Sequence, residues 1–523
     1  MLIDCSIYSL SQADVSGSGQ LASGRTLPPE GKLTVRPGVS WWRVADFGVL
    51  GLWMALVGCT IQYHEKWADE AQAWLIARDL DLPTIWFREL RYEGSPGLWH
   101  TILWFAQRAF HASYNSISYI GMSFAAAGVA LLIFKSPFPR ILRWLLPFTY
   151  FLVYQYAVIA RSYTLLPVLS FTAAILFKDL RRPGQMTIVL ILLATLCLHG
   201  TIIAGCVGIA YLIEATKSWP GLGPSIRKRY LVCVGAMALT LLGLFVVLKP
   251  APDVAEFAQQ AKLAQLPQSL RAMQPTRITK LSAVLSGAFM DEPIVSGIFL
   301  TLSTAWCILR RKWLTFVLPV ATLMIFYVTV HGYAQHQGTV FIAAVTGLWI
   351  AWPTPAEQKS SSSFAMLSTK GMVALLVCLC AVNLWDAAVA VHNEYLYPYS
   401  GAEDAANFLK REGADKRGIF GYAYGMAGVE AYFDHKIEEN RQTTYYHHGV
   451  EADDRFLNSA ELRTWAPEYI VVFSEDPNNT MNLIGPNMDA IGYQLVHVSD
   501  GYQLYKRGVY VRQVYLIFRR VNP

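Results

Sequence analysis

Apolar residues run through most of this chain in blocks of about 20, the length a helix needs to cross a hydrocarbon layer, and polar residues are confined to the gaps. Such blocks occupy roughly 44–62, 97–112, 116–134, 141–160, 162–177, 186–215, 231–248, 293–309, 313–331, 338–352 and 371–392. They predict a polytopic α-helical membrane protein with about eleven transmembrane helices across residues 44–392. Two regions are interrupted: 186–215 reads as one long helix or two short ones broken around His199-Gly200, and 141–177 holds two segments separated by Arg161. Residues 1–43 are rich in Ser, Gly and Pro and read as a disordered tail, which Lys32, Arg36 and Arg43 assign to the cytoplasm.

From residue 393 the period changes. YSGAEDAANFLKREG predicts an amphipathic helix ending at Gly413, with Ala405, Phe408 and Leu409 on one face. RGIFGYAYG, PEYIVVFSE and YQLVHVSDGYQLYKRG hold short β-type runs bounded by Gly, Asp and Pro. Residues 393–523 are therefore expected to form a small α/β domain, extracytoplasmic if the crossings are odd in number, with a hairpin around Ser499-Asp500-Gly501.

Composition supports this reading. With 54% hydrophobic and 15% charged residues the chain does not describe a soluble surface, and 16 Trp, 27 Tyr and 25 Phe suit membrane interfaces. A formal charge of +6 is too small and diffuse to argue for nucleic acid. Of eight Cys, seven lie in apolar runs without metal-site spacing, which points to packing. The expected location is a membrane crossed many times. Lys178, Arg181 and Arg182, and Arg310, Arg311 and Lys312, read as cytoplasmic turns; Lys135, Arg140 and Arg143 fit that scheme less well.

The first extramembrane loop, 63–96, carries the densest chemistry. Asp69 and Glu70 open a stretch in which Ala73, Trp74, Ile76, Ala77 and Leu80 recur at helical spacing, so the segment is expected to lie along the membrane surface. A carboxylate there either caps the helix or acts as a general base, and the spacing leaves both open. EGSPGLWH follows, flanked by Glu93 and His100, either of which could be a packing residue or a substrate contact. Arg161 is costly in an apolar setting unless it meets an anion; its planar fork suits a lipid phosphate, and snorkelling to headgroups is the alternative. His199, His331 and His336 match no zinc spacing, and one of them could hydrogen-bond a sugar or phosphate. The long 249–292 loop has the length of a lid.

In this order, the acidic pair of WADEAQAW, the Gly-Pro element of EGSPGLWH, Arg161-Ser162-Tyr163 and His199-Gly200 resemble the GT-C superfamily of integral-membrane glycosyltransferases, especially the branch of protein O-mannosyltransferases and lipid A aminoarabinose transferases. The resemblance covers roughly residues 44–350, and it departs from the family where EGSPGLWH lacks a His-Pro-Pro form and where Gln335 stands in place of a basic residue. It implies a bacterial inner (plasma) membrane as the location, and an extracytoplasmic transfer from a polyprenyl-phosphate-linked sugar donor to an acceptor that is a lipid, a glycan or a protein. Asp69 would be the base, Glu70 would support positioning, Arg161 would meet the lipid phosphate, and Glu93, His100, Tyr163, His199 and His336 would line the substrate site. No metal ligands are assigned, although a divalent ion is compatible with the scheme. The competing classes are a transporter or flippase of a lipid-linked glycan and a non-catalytic cell-envelope assembly protein.

Overall fold

The computed structural model describes residues 41–254, 276–330, 334–360, 362–447 and 459–521. The tail before residue 41, His331 and the middle of the 249–292 loop lie outside these described residues. The chain is a multi-pass helical membrane protein that carries a small sheet domain after its last long helix. Among the described residues five helices are long and apolar enough to cross a membrane: α1 (Trp41–Ile61), α4 (Ser116–Lys135), α7 (Leu198–Lys217), α8 (Pro224–Val247) and α13 (Ser363–Leu396). A pair bent by 72°, α9 (Arg277–Ala288) and α10 (Pro293–Leu309), would make a sixth. The remaining apolar runs form shorter or broken helices, so helix length alone gives fewer spans than the run count of about eleven.

One of those runs does not cross. Residues 97–112 fold as α3 (Leu98–Phe110), whose 13 residues span only about 20 Å at 1.5 Å per residue. This helix lies along α2 (Ala68–Asp79): Gln107 Nε2 donates to the Trp74 carbonyl at 3.2 Å and Arg108 Nη2 to the Arg78 carbonyl at 3.0 Å. At its far end Lys66 Nζ reaches Asn115 Oδ1 at 3.1 Å, so both ends of the run sit on one side of the bundle. This correction removes the charge misfit of Lys135, Arg140 and Arg143. Trp144 Nε1 donates to Asp46 Oδ1 at 2.8 Å, which sets the Arg140–Arg143 turn beside the start of α1. The opposite end of α1 leads into His64 and α2.

The 186–215 run is two helices, α6 (Pro183–Ala194) and α7, with the break just before His199. α7 carries His199 in its first turn and Lys217 at its far end, about one bilayer away. At that far end Lys312 bonds Glu214 at 2.8 Å and Arg310 bonds Glu357 at 3.1 Å, gathering the basic turns on one side. α5 (Leu166–Leu176), α11 (Trp313–Thr329) and α12 (Gly338–Ala351) pack beside them. Between Pro147 and Arg161 the backbone is irregular, with a π-type turn at Phe151–Gln155, and residues 149–160 are all buried. Non-helical backbone is tolerated in such a bundle where protein surrounds it and satisfies its polar groups.

The sheet domain has the strand order β1-β2-β6-β3, where β1 is Ile419–Tyr422, β2 Tyr469–Ser474, β3 Tyr493–Ser499 and β6 Val514–Arg520. β1 and β2 are parallel and the other pairings antiparallel. Alternation divides the side chains: Tyr469, Val471, Tyr515 and Ile517 pack under α14 (Ala402–Arg411) and α15 (Met426–Glu430), while Ile470, Val472, Leu516 and Phe518 meet Leu462 and the residues Ile484 and Met488 of α17 (Pro477–Ala490). α16 (Ser459–Trp465) carries Leu462. Ala405 and Leu409 are buried on the inner face of α14.

The hairpin is not where the turn residues suggested. β3 pairs with β6, and the chain leaves the sheet at Asp500 to form a separate ribbon of β4 (Tyr502–Tyr505) and β5 (Gly508–Arg512) that turns at Lys506-Arg507. Gly501 makes this exit possible, since a Cβ there would lie 2.3 Å from the Gly401 nitrogen and 2.5 Å from the Ser400 Cα. The ribbon dips into the helical bundle. Lys506 and Arg507 both bond Asp291, in the bend between α9 and α10, and Arg507 Nε also reaches Asp386 Oδ1 of α13 at 2.6 Å. Lys506 Nζ lies 3.4 Å from Asp386 Oδ2, and both of these side chains are buried.

Removing one member of a buried ion cluster leaves the others uncompensated. Asp386→Asn is expected to destabilise the protein by about 3 kcal/mol, read as a lowered melting temperature in detergent. Arg507→Gln, at a half-exposed position, is expected to cost about 1 kcal/mol or less.

Candidate functional site

The site is built around two adjacent carboxylates with different surroundings. Trp67 occupies the N-cap position of α2, and its backbone N–H donates to Glu70 Oε2 at 3.3 Å. Asp69 is the second residue of the helix, so it does not cap it. Consecutive helical residues point about 100° apart, and Glu70 therefore turns inward while Asp69 turns away.

Glu70 is fully buried. Its Oε1 accepts the Ala160 N–H at 2.7 Å and its Oε2 lies 3.0 Å from His64 Nε2. The other ring nitrogen of His64 meets Glu394 Oε1 at 2.9 Å, and Glu394 Oε2 accepts the Tyr154 hydroxyl. Burial opposes a charge on His64, but the Glu70 and Glu394 carboxylates outweigh it and push its pKa up to about 10. Burial also works against the Glu70 charge, yet His64 and the Ala160 N–H hold that carboxyl below its ordinary value. Glu70 thus fixes the start of α2 and does not line the cavity.

Asp69 faces a cavity of about 870 Å³ between the bundle and the sheet domain. Arg161 Nη1 lies 2.6 Å from Asp69 Oδ2, and the Tyr424 hydroxyl donates to Asp69 Oδ1. The guanidinium sits 5.6 Å from the ring centroids of both Trp67 and Tyr163, a cation flanked by aromatic surfaces. It reaches this place because the irregular segment delivers Arg161 in extended backbone just before the next helix begins.

Glu93, His100, Tyr163, His199 and His336 line the same cavity, so of the eight candidate residues all but Glu70 converge there. Glu93 Oε1 accepts from Gln72 Nε2 at 2.7 Å. Both ring nitrogens of the buried His100 lack a hydrogen-bond partner among the described residues. Tyr163 Oη lies 3.2 Å from His199 Nδ1, while His199 Nε2 has no such partner among them. The His336 ring is 5.0 Å from that of His199, and Tyr327 donates to the His336 carbonyl at 2.7 Å. Among the described residues no group of three or more His, Cys, Asp or Glu is placed to hold a metal ion.

The sequence reading placed α2 on the membrane surface. Instead it is buried on nearly all sides, because α3 covers one flank and α15 of the sheet domain another. Gln72 holds this contact with a reciprocal pair: its Nε2 donates to the Tyr446 carbonyl at 2.7 Å, and Tyr446 N–H donates to its Oε1 at 2.9 Å. Sequence reasoning missed Gln72, although a polar residue one turn after Asp69 within an apolar stretch is a legible signal. It also missed Tyr424, Ser474, Glu475, Asp476, Gln503 and Tyr510, which line the cavity from the sheet domain and come from loops and strands remote in sequence.

No protein-family model matches the chain, and no curated protein matches it in sequence. A solved structure, ArnT from Cupriavidus metallidurans bound to undecaprenyl phosphate, superposes on it with a TM-score of 0.51. The superposition covers 91% of this chain and 98% of that one, at 11% identity. At 11% identity the likeness shows the fold alone. In this chain a helical bundle and a C-terminal sheet domain both line the cavity that holds Asp69 and Arg161.

The His64 contacts carry a pH dependence. A group whose pKa rises from 6.5 to about 10 on folding contributes stability that is complete below pH 6.5 and lost as pH climbs through 10. In Glu70→Gln the stability fall across this window is expected to become shallower, as measured by melting temperature against pH in detergent.

Proposed function

We propose that the protein is a glycosyltransferase that moves a sugar from a polyprenyl-phosphate carrier to an extracytoplasmic acceptor hydroxyl, with inversion at the sugar carbon. The observation that carries this reading is the Asp69 carboxylate facing a large cavity against the Arg161 guanidinium. Asp69 takes the proton of the acceptor hydroxyl as its oxygen attacks the anomeric carbon. The bond from that carbon to the phosphate oxygen breaks, and the electron pair leaves with the lipid phosphate. Arg161 is the cation within reach of the charge that develops there, and its forked donors match a phosphate. Tyr163, His199 and His336 supply polar edges and flat faces beside it, suited to a phosphate ester and a sugar ring.

The GT-C fold supports a transferase, and ArnT, solved with undecaprenyl phosphate, supports a polyprenyl-phosphate lipid as the carrier. Nε2 of His199 and both nitrogens of His100, without a hydrogen-bond partner among the described residues, are buried polar groups that a sugar hydroxyl or phosphate oxygen would satisfy.

Membranes carrying the protein, supplied with radiolabelled polyprenyl-phosphate sugars, are expected to label an acceptor. Asp69→Asn at equal expression is expected to lose transfer by 10²- to 10⁴-fold, roughly the contribution of a general base, and full transfer by that variant would refute the assignment. Absence of transfer by the wild type from every donor would shift the reading to transport of a lipid-linked glycan.

A further inference from the structure

Asp69 has two partners, and one of them comes from the other part of the molecule. The loop after β1 is clamped at both ends. Asn440 bonds Gly421 twice, accepting its N–H at 2.9 Å and donating to its carbonyl at 2.8 Å, and Tyr515 donates to the Gly425 carbonyl at 2.8 Å. Gly425 is pressed against the Phe473 ring, where a Cβ would lie 2.1 Å from the nearest ring atom. Between the clamps Ala423 is held at φ +71°, a conformation that residues with a Cβ rarely adopt. The outcome of this strained turn is that Tyr424 points out of the sheet domain with its hydroxyl on Asp69 Oδ1 and its ring against Tyr446, 5.6 Å between centroids.

We propose that Tyr424 is a positioning residue of the transfer site, orienting the Asp69 carboxylate from the sheet domain so that Oδ2 presents to the acceptor once Arg161 turns to the donor phosphate. The proposal rests on the glycosyltransferase reading. Its geometric content is a division of the two carboxylate oxygens: Tyr424 holds one and Arg161 the other. Burial, and then the neighbouring Asp69 charge, hold the Tyr424 phenol far above its ordinary range, so it remains a donor throughout the working pH range. Charged and titratable groups that act on this pair include Arg161 and Tyr163 from the bundle, Glu70 beside Asp69, and Glu93 across the cavity. None of them replaces the hydrogen bond to Oδ1. The sheet domain is on this account a part of the reaction centre, because the base is correctly aimed only when that domain is docked.

The test uses the full-length protein in detergent or proteoliposomes, with a polyprenyl-phosphate sugar as donor. Tyr424→Phe keeps the ring against Tyr446 and deletes the donor. It is expected to lower kcat about tenfold, the rate equivalent of one orienting hydrogen bond, with KM for the lipid donor unchanged. The acid limb of its pH–rate profile is expected to move to higher pH, because the carboxylate loses a donor that favours its charged form. Incorporation of 3-fluorotyrosine at position 424 makes the phenol a stronger donor and is expected to move that limb the opposite way without disturbing the fold. Unchanged kcat and an unmoved limb in both variants would overturn the proposal, and so would a rise in donor KM alone. Should Asp69→Asn retain full transfer, the glycosyltransferase reading itself fails; should Asp69→Asn be inactive and the position-424 variants behave as wild type, only the role of Tyr424 fails.

Discussion

A buried imidazolium between two carboxylates holds the upper part of this molecule together. His64, Glu70 and Glu394 come from the exit of α1, the start of α2 and the end of α13, and Tyr154 and Ala160 of the irregular segment complete their hydrogen bonds. Taking three charges out of water is tolerable only when their lone pairs and protons are nearly all matched, and here backbone and phenol donors match those His64 leaves over. Four stretches of chain are therefore fixed to one another within a few ångströms. The direction in which α2 leaves the bundle follows from this, and so does the place where Asp69 projects.

The adjacency of Asp69 and Glu70 illustrates how one helical step separates structure from chemistry. Both are carboxylates in the first turn of the same helix, yet one is sealed against Ala160 and His64 and the other opens to a cavity beside Arg161. The irregular segment serves both: its Ala160 N–H anchors Glu70, and the next residue is the guanidinium that meets Asp69. A regular helix through residues 150–165 would bury its N–H groups in its own ladder and could not offer one to Glu70.

Hydrophobic run length made the membrane bundle readable, and the shift to period-two alternation after residue 393 made the sheet domain readable. What run length does not encode is whether a run crosses or lies flat, and α3 is the example, its fate set by hydrogen bonds to α2 and not by its apolarity. The residues of the bundle that line the cavity stood out because charge and histidine are conspicuous in apolar surroundings. Those of the sheet domain did not, because Tyr424 is ordinary in a soluble fold and becomes notable only when a contact spanning 355 positions brings it to Asp69. The turn at Ser499-Asp500-Gly501 carried the usual hairpin residues, but pairing is decided across the sheet: β6 took the partner that β4 would have had.

The position of β6 also sets an order of assembly. It lies between β2 and β3, and it follows both of them, and the β4–β5 ribbon, along the chain. Until β6 leaves the ribosome, β2 and β3 have no shared neighbour. The end of β2 at Ser474 and the following residue Asp476 then have a foundation only on the β1 side, and the ribbon has nothing to return to. The wall that the sheet domain gives the cavity beside Asp69 and Arg161 therefore depends on the last strand of that domain.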